Sequence, residues 1–215
     1  MENEVKTVVC YGDSNTWGAF QMEEEWRRYG RDVRWPSVLD TLLGDGVEVR
    51  NEGLIGRTLV AHDSKKPHRT GIRHLTSILK TSDPTDLVLI MLGTNDMKTE
   101  YDLTANDIFE HLRQTITLIR KEGKGLIRDP KILIICPPRV IFRDDGGIDE
   151  RMARVVEISK ELPVLFQKVA NETGCAFIDA GMHIQSSGKD GYHLDPEAHR
   201  KLASVVADEV RSILS

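Results

Sequence analysis

Leu87-Val88-Leu89-Ile90-Met91-Leu92 is an unbroken apolar run, followed at once by the turn-forming string Gly93-Thr94-Asn95-Asp96. A strand with one wet face alternates apolar and polar residues, whereas a strand covered on both faces has no side to keep polar. The run therefore predicts a central strand of a sheet with helices on both sides. Further segments rich in β-branched and apolar residues lie at Val5 to Tyr11, Val47 to Asn51, Lys131 to Cys136 and Ala176 to Asp179, which makes five strands. Helical patterns fill the intervals. Pro36 to Leu43 has Pro near its start and Gly44 after its end, and Thr104 to Lys121 sets Ile108, Leu112, Thr115, Ile116 and Ile119 on one face. The last helix opens at Asp195-Pro196-Glu197, an N-cap followed by Pro, and turns Leu202, Val205, Val206, Val210 and Leu214 inward. Pro163 interrupts the helical stretch from Glu150 to Glu172 and predicts a kink or a second helix there. Strands alternating with helices give an α/β fold with a parallel sheet.

The bulk numbers fit this reading. The chain's 215 residues, 40% of them hydrophobic, suffice for one domain over residues 1–215, and no Gly/Ser or Pro run resembles a linker. Lys and Arg number 29 against 34 Asp and Glu, a net charge of −5 with no basic stripe, which argues against nucleic acid as a partner. The acidic start Met1-Glu2-Asn3-Glu4-Val5-Lys6 lacks the regions of a signal peptide, and no apolar run approaches the ~18 residues of a membrane span. A cytoplasmic protein that does not engage membranes is the expectation. Cys10, Cys136 and Cys175 are odd in number, far apart and beside apolar runs, so they read as reduced, buried thiols.

Chemistry-bearing residues gather where strands end. After the first strand, Gly12-Asp13-Ser14-Asn15-Thr16-Trp17-Gly18 puts Ser14 at a strand-to-helix turn, beside unpaired N–H groups and the positive end of a helix dipole. Taken alone, Ser14 reads equally well as a cap. After Leu92, Asn95 emerges at the same edge and can aim an amide N–H at the reaction centre, although Gly-Thr-Asn-Asp is also plain turn chemistry. After the second strand, Asn51-Glu52-Gly53-Leu54-Ile55-Gly56-Arg57-Thr58 offers two glycines, either of which brings a backbone N–H close to a ligand or merely forms a turn. Near the C-terminus, Asp190-Gly191-Tyr192-His193 spaces a carboxylate three residues before an imidazole, so Asp190 can hold His193 through Nδ1 while Nε2 takes the serine proton. Asp195 and His199 repeat the pair inside the helix start, where Asp195 is better used as a cap. Because residue 16 is Thr, Ser14 does not sit in the Gly-x-Ser-x-Gly elbow of α/β-hydrolases.

These four blocks, in this order and bracketing residues 12 to 193, resemble the SGNH (GDSL-type) hydrolase family. The resemblance implies a flavodoxin-like three-layer α/β/α sandwich with a five-stranded parallel sheet. It implies Ser14 as nucleophile, an oxyanion hole from Ser14 N–H, Gly56 N–H (rather than Gly53) and the Asn95 amide, and Asp190 with His193 as the rest of the triad. The runs Val33-Arg34-Trp35, Glu52-Gly53-Leu54, Arg57-Thr58, Ile90 to Asp96 and Phe177 to Gly181 look similar to its arylesterase/acyltransferase branch, whose members act on short acyl, often acetyl, esters and oligomerise around a restricted channel. A homo-oligomer is thus expected, as is a small ester of an aryl, alkyl or sugar alcohol as substrate, handled through an acyl-serine by hydrolysis or acyl transfer.

No cofactor or metal is required by this chemistry; His62, Asp63 and His68 lack Cys partners and helical ligand spacing. Asp13, Trp17 and Arg57 are the candidate substrate-binding residues, while Trp17, Trp26 and Trp35 as a set either line the pocket or serve core and subunit contacts. The polar connections Ala19 to Arg34, Ala61 to Thr70 and Arg139 to Asp149 are its expected walls, the first and last more charged than the resemblance would suggest. The competing functions are a thioesterase or lysophospholipase with the same triad, which needs a longer apolar groove, and a non-catalytic binding protein. A nucleotide binder would need a glycine-rich phosphate loop, and Gly188-Lys189 is not preceded by one.

Overall fold

A computed structural model describes residues 5–22, 25–145 and 150–215. Along the chain run β1 (Lys6–Gly12), the helical turn α1 (Ser14–Trp17), β2 (Ala19–Met22), β3 (Glu25–Arg28), α2 (Trp35–Leu43), β4 (Val47–Gly53), α3 (Gly71–Thr81), β5 (Leu87–Met91), α4 (Ala105–Gly123), β6 (Lys131–Cys136), α5 (Glu150–Thr173), β7 (Ala176–Asp179) and α6 (Pro196–Leu214). The five apolar runs form one parallel sheet in the order β4-β1-β5-β6-β7. Alternate residues of its strands feed two cores. Tyr11, Val88, Ile90 and Ile134 pack with α3, α4 and α5 on one face, and Val8, Cys10, Leu89 and Leu133 with α2 and α6 on the other. Both faces of β5 are dry, which is why its sequence shows no alternation. Each fully buried aliphatic side chain here contributes about 1.5–3 kcal/mol.

The order of strands locates the crevice. From β1 the chain first steps to β4 on one side, then crosses to β5 on the other, so the connections diverge at the carboxyl end of β1. Doubly wound sheets bind ligands at such a point. The sheet edge there carries the loops after Gly12, Gly53, Met91 and Asp179.

The helix ends follow the local chemistry. Thr104 and Asp107 close a reciprocal capping box on α4, and Asp195 accepts the Ala198 N–H at 2.8 Å to start α6. Two expectations change. The connection from Ala19 to Arg34 is not irregular: β2 and β3 form an antiparallel hairpin pairing Ala19 with Arg28 and Gln21 with Trp26, steadied by Phe20 stacked on Tyr29 at 4.5 Å. Its residues are mostly exposed on both faces, so no apolar alternation marks it in the sequence. Pro163 neither ends nor divides α5, which stays helical from Glu150 to Thr173. Its buried residues Val155, Leu162, Phe166 and Val169 lie on both sides of the proline and pack in one core, outweighing the roughly 3 kcal/mol an interior proline costs. Of the Arg139 to Asp149 connection, residues 146–149 lie outside the described residues. Cys10 and Cys136 are buried and Cys175 half-buried, all as free thiols. Among the described residues no helix is long and apolar enough to cross a membrane.

Candidate active site

Ser14 opens α1 directly after β1, and Asp13 caps that turn by accepting the Asn15 N–H at 2.9 Å. The turn lies hard against the next strand: a Cβ on Gly53 would overlap the backbone of Trp17, so only glycine lets β4 end there. This contact makes Gly53 a spacer rather than a ligand group. His193 Nε2 stands 2.9 Å from Ser14 Oγ, and its Nδ1 stands 2.6 Å from Asp190 Oδ2. Asp190 Oδ1 accepts the N–H groups of Tyr192 and His193 at 2.8 and 2.9 Å. Burial works to raise the Asp190 pKa, but the hydrogen bond and charge of His193 and these two N–H groups outweigh it and hold the carboxyl below its ordinary value. An ionised Asp190 fixes the proton on Nδ1, leaving the Nε2 lone pair for the serine hydroxyl.

The loop that carries His193 is clamped by a residue the sequence reading passed over. Asn15 is buried, donates through Nδ2 to the Tyr192 carbonyl at 3.1 Å and accepts the Leu194 N–H on Oδ1 at 3.0 Å. It grips the chain on both sides of the imidazole, from the residue next to Ser14. Its only sequence signal is a polar side chain on the inward turn after β1, and caps share that signal.

Opposite the imidazole lies a corner of N–H donors. The backbone N–H groups of Ser14 and Gly56 donate to no described residue, and Gly56 takes φ of 77°, a region side chains rarely adopt. Asn95 Nδ2 donates to the Arg57 carbonyl at 3.0 Å and, at a longer 3.3 Å, to Asp13 Oδ2. Next door, both Asp96 carboxylate oxygens accept the Leu59 N–H at 3.1 and 3.0 Å, tying the Gly56 loop to the Asn95 loop. Asp13 bears a cost for its place: burial pushes its carboxyl up to about 6, against the opposing pull of the Asn15 N–H and His193.

Ser14, Gly56, Asn95, Asp190 and His193 thus line one cavity of about 640 Å³. Asp13, Trp17 and Arg57, expected at the substrate, belong to the scaffold instead. Asp13 is the buried cap; Arg57 is buried, donates to the Gly12 carbonyl at 2.9 Å and to the Glu52 carbonyl, and stacks 4.1 Å over the Tyr11 ring; Trp17 lies under Arg28 at 5.0 Å. Of the other tryptophans, Trp35 is core, while Trp26 lines the cavity with its ring 4.7 Å from His193. Each expected wall loop contributes, through Gln21 and Trp26, Arg69, and Arg143. His199 does not reach Ser14. It is fully buried with Nδ1 accepting the Trp35 N–H at 3.3 Å, while Asp195 caps α6. Asp63 accepts the N–H groups of Lys65 and Lys66, and among the described residues no group of three or more His, Cys, Asp or Glu could hold a metal.

Comparison with known proteins gives the same frame. The model of the GDSL-like lipase/acylhydrolase family matches residues 8–206. An acetylxylan esterase of Xylanibacter ruminicola is 27% identical over 225 aligned positions that cover 95% of this chain, which spans 43% of that protein's length. The native aryl esterase of M. smegmatis superposes with a TM-score of 0.91 at 34% identity, covering 97% of this chain and 100% of that one. A carbohydrate acetylesterase from Sinorhizobium meliloti does so with a TM-score of 0.91 at 32% identity, covering 97% and 99%.

Proposed function

Because the chain belongs to the GDSL-like lipase/acylhydrolase family, we propose that it is a carboxylic ester hydrolase that cleaves short, acetyl-type acyl esters through an acyl-Ser14 intermediate. The observation that carries this reading is the relay from Asp190 through His193 to Ser14, with separations of 2.6 and 2.9 Å. His193 Nε2 takes the hydroxyl proton as Ser14 Oγ bonds to the ester carbonyl carbon. Negative charge then grows on the carbonyl oxygen, where Ser14 N–H, Gly56 N–H and the Asn95 amide receive it, the last by trading its longer 3.3 Å contact with Asp13 for the oxyanion. Collapse expels the alcohol, which takes the proton from His193, and water activated by the same imidazole releases the acid and restores Ser14. An alcohol in place of that water gives acyl transfer.

The names of the relatives, aryl esterase, carbohydrate acetylesterase and acetylxylan esterase, support acetyl esters of aryl or sugar alcohols as the substrate class. A short acyl group also suits the cavity, whose aliphatic wall among the described residues consists of Ile55, Met152 and Val155. The test is turnover of p-nitrophenyl acetate. Asp190→Asn, which fixes the wrong tautomer of His193, is expected to lower kcat by about 10⁴-fold in a folded protein; a variant as fast as the wild type sinks the proposed relay.

A further inference from the structure

Beside Gly56 and Asn95 the cavity wall carries two cations that ester cleavage does not use, Arg69 and Lys98. Arg69 is fixed by its backbone: its carbonyl accepts the Thr58 N–H at 3.0 Å, and the adjoining Thr70 bridges Thr58. Its guanidinium therefore lies on Gly56, so close that an added Cβ there would come within 2.8 Å of Arg69 Cζ. Arg69 Nε is buried without a hydrogen-bond partner among the described residues. Lys98 closes the turn after β5, its N–H bonded to the Asn95 carbonyl at 3.2 Å. Neither side chain makes a hydrogen bond or ion pair with any described residue, although Glu100 shares the wall. Burial draws the Lys98 ammonium pKa down, Glu100 opposes this, and the neighbouring positive charge of Arg69 lowers it again. Half-buried cations normally find a carboxylate. Here two of them share one corner of a cavity with their donors unspent.

We propose that Arg69 and Lys98 form a subsite for a carboxylate carried by the ester substrate, next to the oxyanion corner. The inference rests on the esterase reading and narrows its substrate to anionic esters. It also explains why a chain of net charge −5 lines this wall with positive charge. The planar fork of Arg69 and the ammonium of Lys98 supply N–H donors that match carboxylate oxygens, and a partly dry wall strengthens both contacts.

The test compares matched ester pairs. One places the charge on the alcohol, p-acetoxybenzoate against its methyl ester; the other places it on the acyl group, mono-p-nitrophenyl glutarate against p-nitrophenyl butyrate. In at least one pair the anionic ester is expected to have the higher kcat/KM by about tenfold, the size of a charge-assisted contact, and that pair tells which end of the substrate bears the carboxylate. Lys98→Met and Arg69→Gln should each bring the ratio towards one, and added salt should shrink it. Because the ratio divides out a general loss of activity, a variant that is poorly folded does not mimic the effect. Ratios at or below one in both pairs, or ratios unchanged in both variants, overturn the subsite. An equal loss on neutral and anionic esters also overturns it, by assigning the cations to the oxyanion. If no ester is turned over, the esterase reading fails on its own, and calorimetry on Ser14→Ala decides the subsite. There p-acetoxybenzoate must bind more tightly than its methyl ester, and the advantage must vanish with Lys98→Met.

Discussion

Asn15 and Asp13, on either side of Ser14, show how much of the site is held by groups outside the cavity lining. Removing the Asn15 amide takes one hydrogen bond from the Tyr192 carbonyl and deprives the buried Leu194 N–H of its acceptor, an unsatisfied group worth about 1–3 kcal/mol. Asn15→Ala is therefore expected to lower both the unfolding midpoint and kcat, the latter by about tenfold or more because the imidazole drifts from its 2.9 Å separation; a kcat equal to the wild type's would show that the loop holds itself. Asp13 presents the opposite balance. Its pKa is raised from 3.8 to about 6, so between these values the unfolded chain ionises while the folded one does not, and stability falls as pH rises. Asp13→Asn should remove this slope, gaining about 3 kcal/mol relative to wild type between pH 4 and pH 7 in urea titrations. It should also lose kcat, since the acceptor that orients Asn95 is gone. A pH-independent difference in stability would contradict the burial argument. Ser14, Asp190 and His193, joined in the structure by separations of 2.9 and 2.6 Å, were legible as candidates because each follows a strand or precedes the last helix. Asn15 was not, because a clamp spanning 177 residues of sequence has no local pattern. Arg57 was misplaced for the reverse reason: its neighbours in sequence line the cavity, while its own guanidinium turns back to the Gly12 and Glu52 carbonyls.

Among the elements, those with a hydrophobic reason to exist were read correctly. Burial on both faces left β5 continuously apolar, a one-sided apolar face marked α4, and capping chemistry marked the start of α6. The β2/β3 hairpin left no such trace, since its exposed residues include arginines and glutamate on both strand faces. Pro163 did not start a second helix, because a local rule was set against a stripe of core contacts that only the fold reveals. The start of α6 matters doubly, since it follows His193 by three residues. Asp195→Ala, which deletes the side-chain acceptor for the Ala198 N–H, is expected to cost about 1 kcal/mol in denaturant unfolding. No measurable loss would mean that Pro196 and packing alone start the helix.

For the whole molecule, the response to acid turns on a residue outside the relay. His199 is sealed between Trp35 and Tyr29, with the Tyr29 ring 5.3 Å away, and burial lowers its pKa from 6.5 to about 3. The unfolded chain binds that proton first, so the stability His199 supports is complete above pH 6.5 and is lost as pH falls towards 3. The loss amounts to about 5 kcal/mol over that range. It runs against the Asp13 slope and exceeds it by about 2 kcal/mol at pH 3, so stability should decline towards that pH, and His199→Gln should flatten the decline. An equally steep curve in that variant would place the acid trigger elsewhere. The central claim, as proposed, is that the strand order, the glycine contact at Gly53 and the Asn15 clamp together turn an ordinary first-turn serine into a nucleophile. Its most direct test is mass spectrometry after treatment with a p-nitrophenyl alkylphosphonate. The wild type should carry one phosphonyl group on the peptide containing Ser14, with loss of p-nitrophenyl acetate turnover in step, and Ser14→Ala should carry none; label on another residue, or full turnover by Ser14→Ala, would contradict the account.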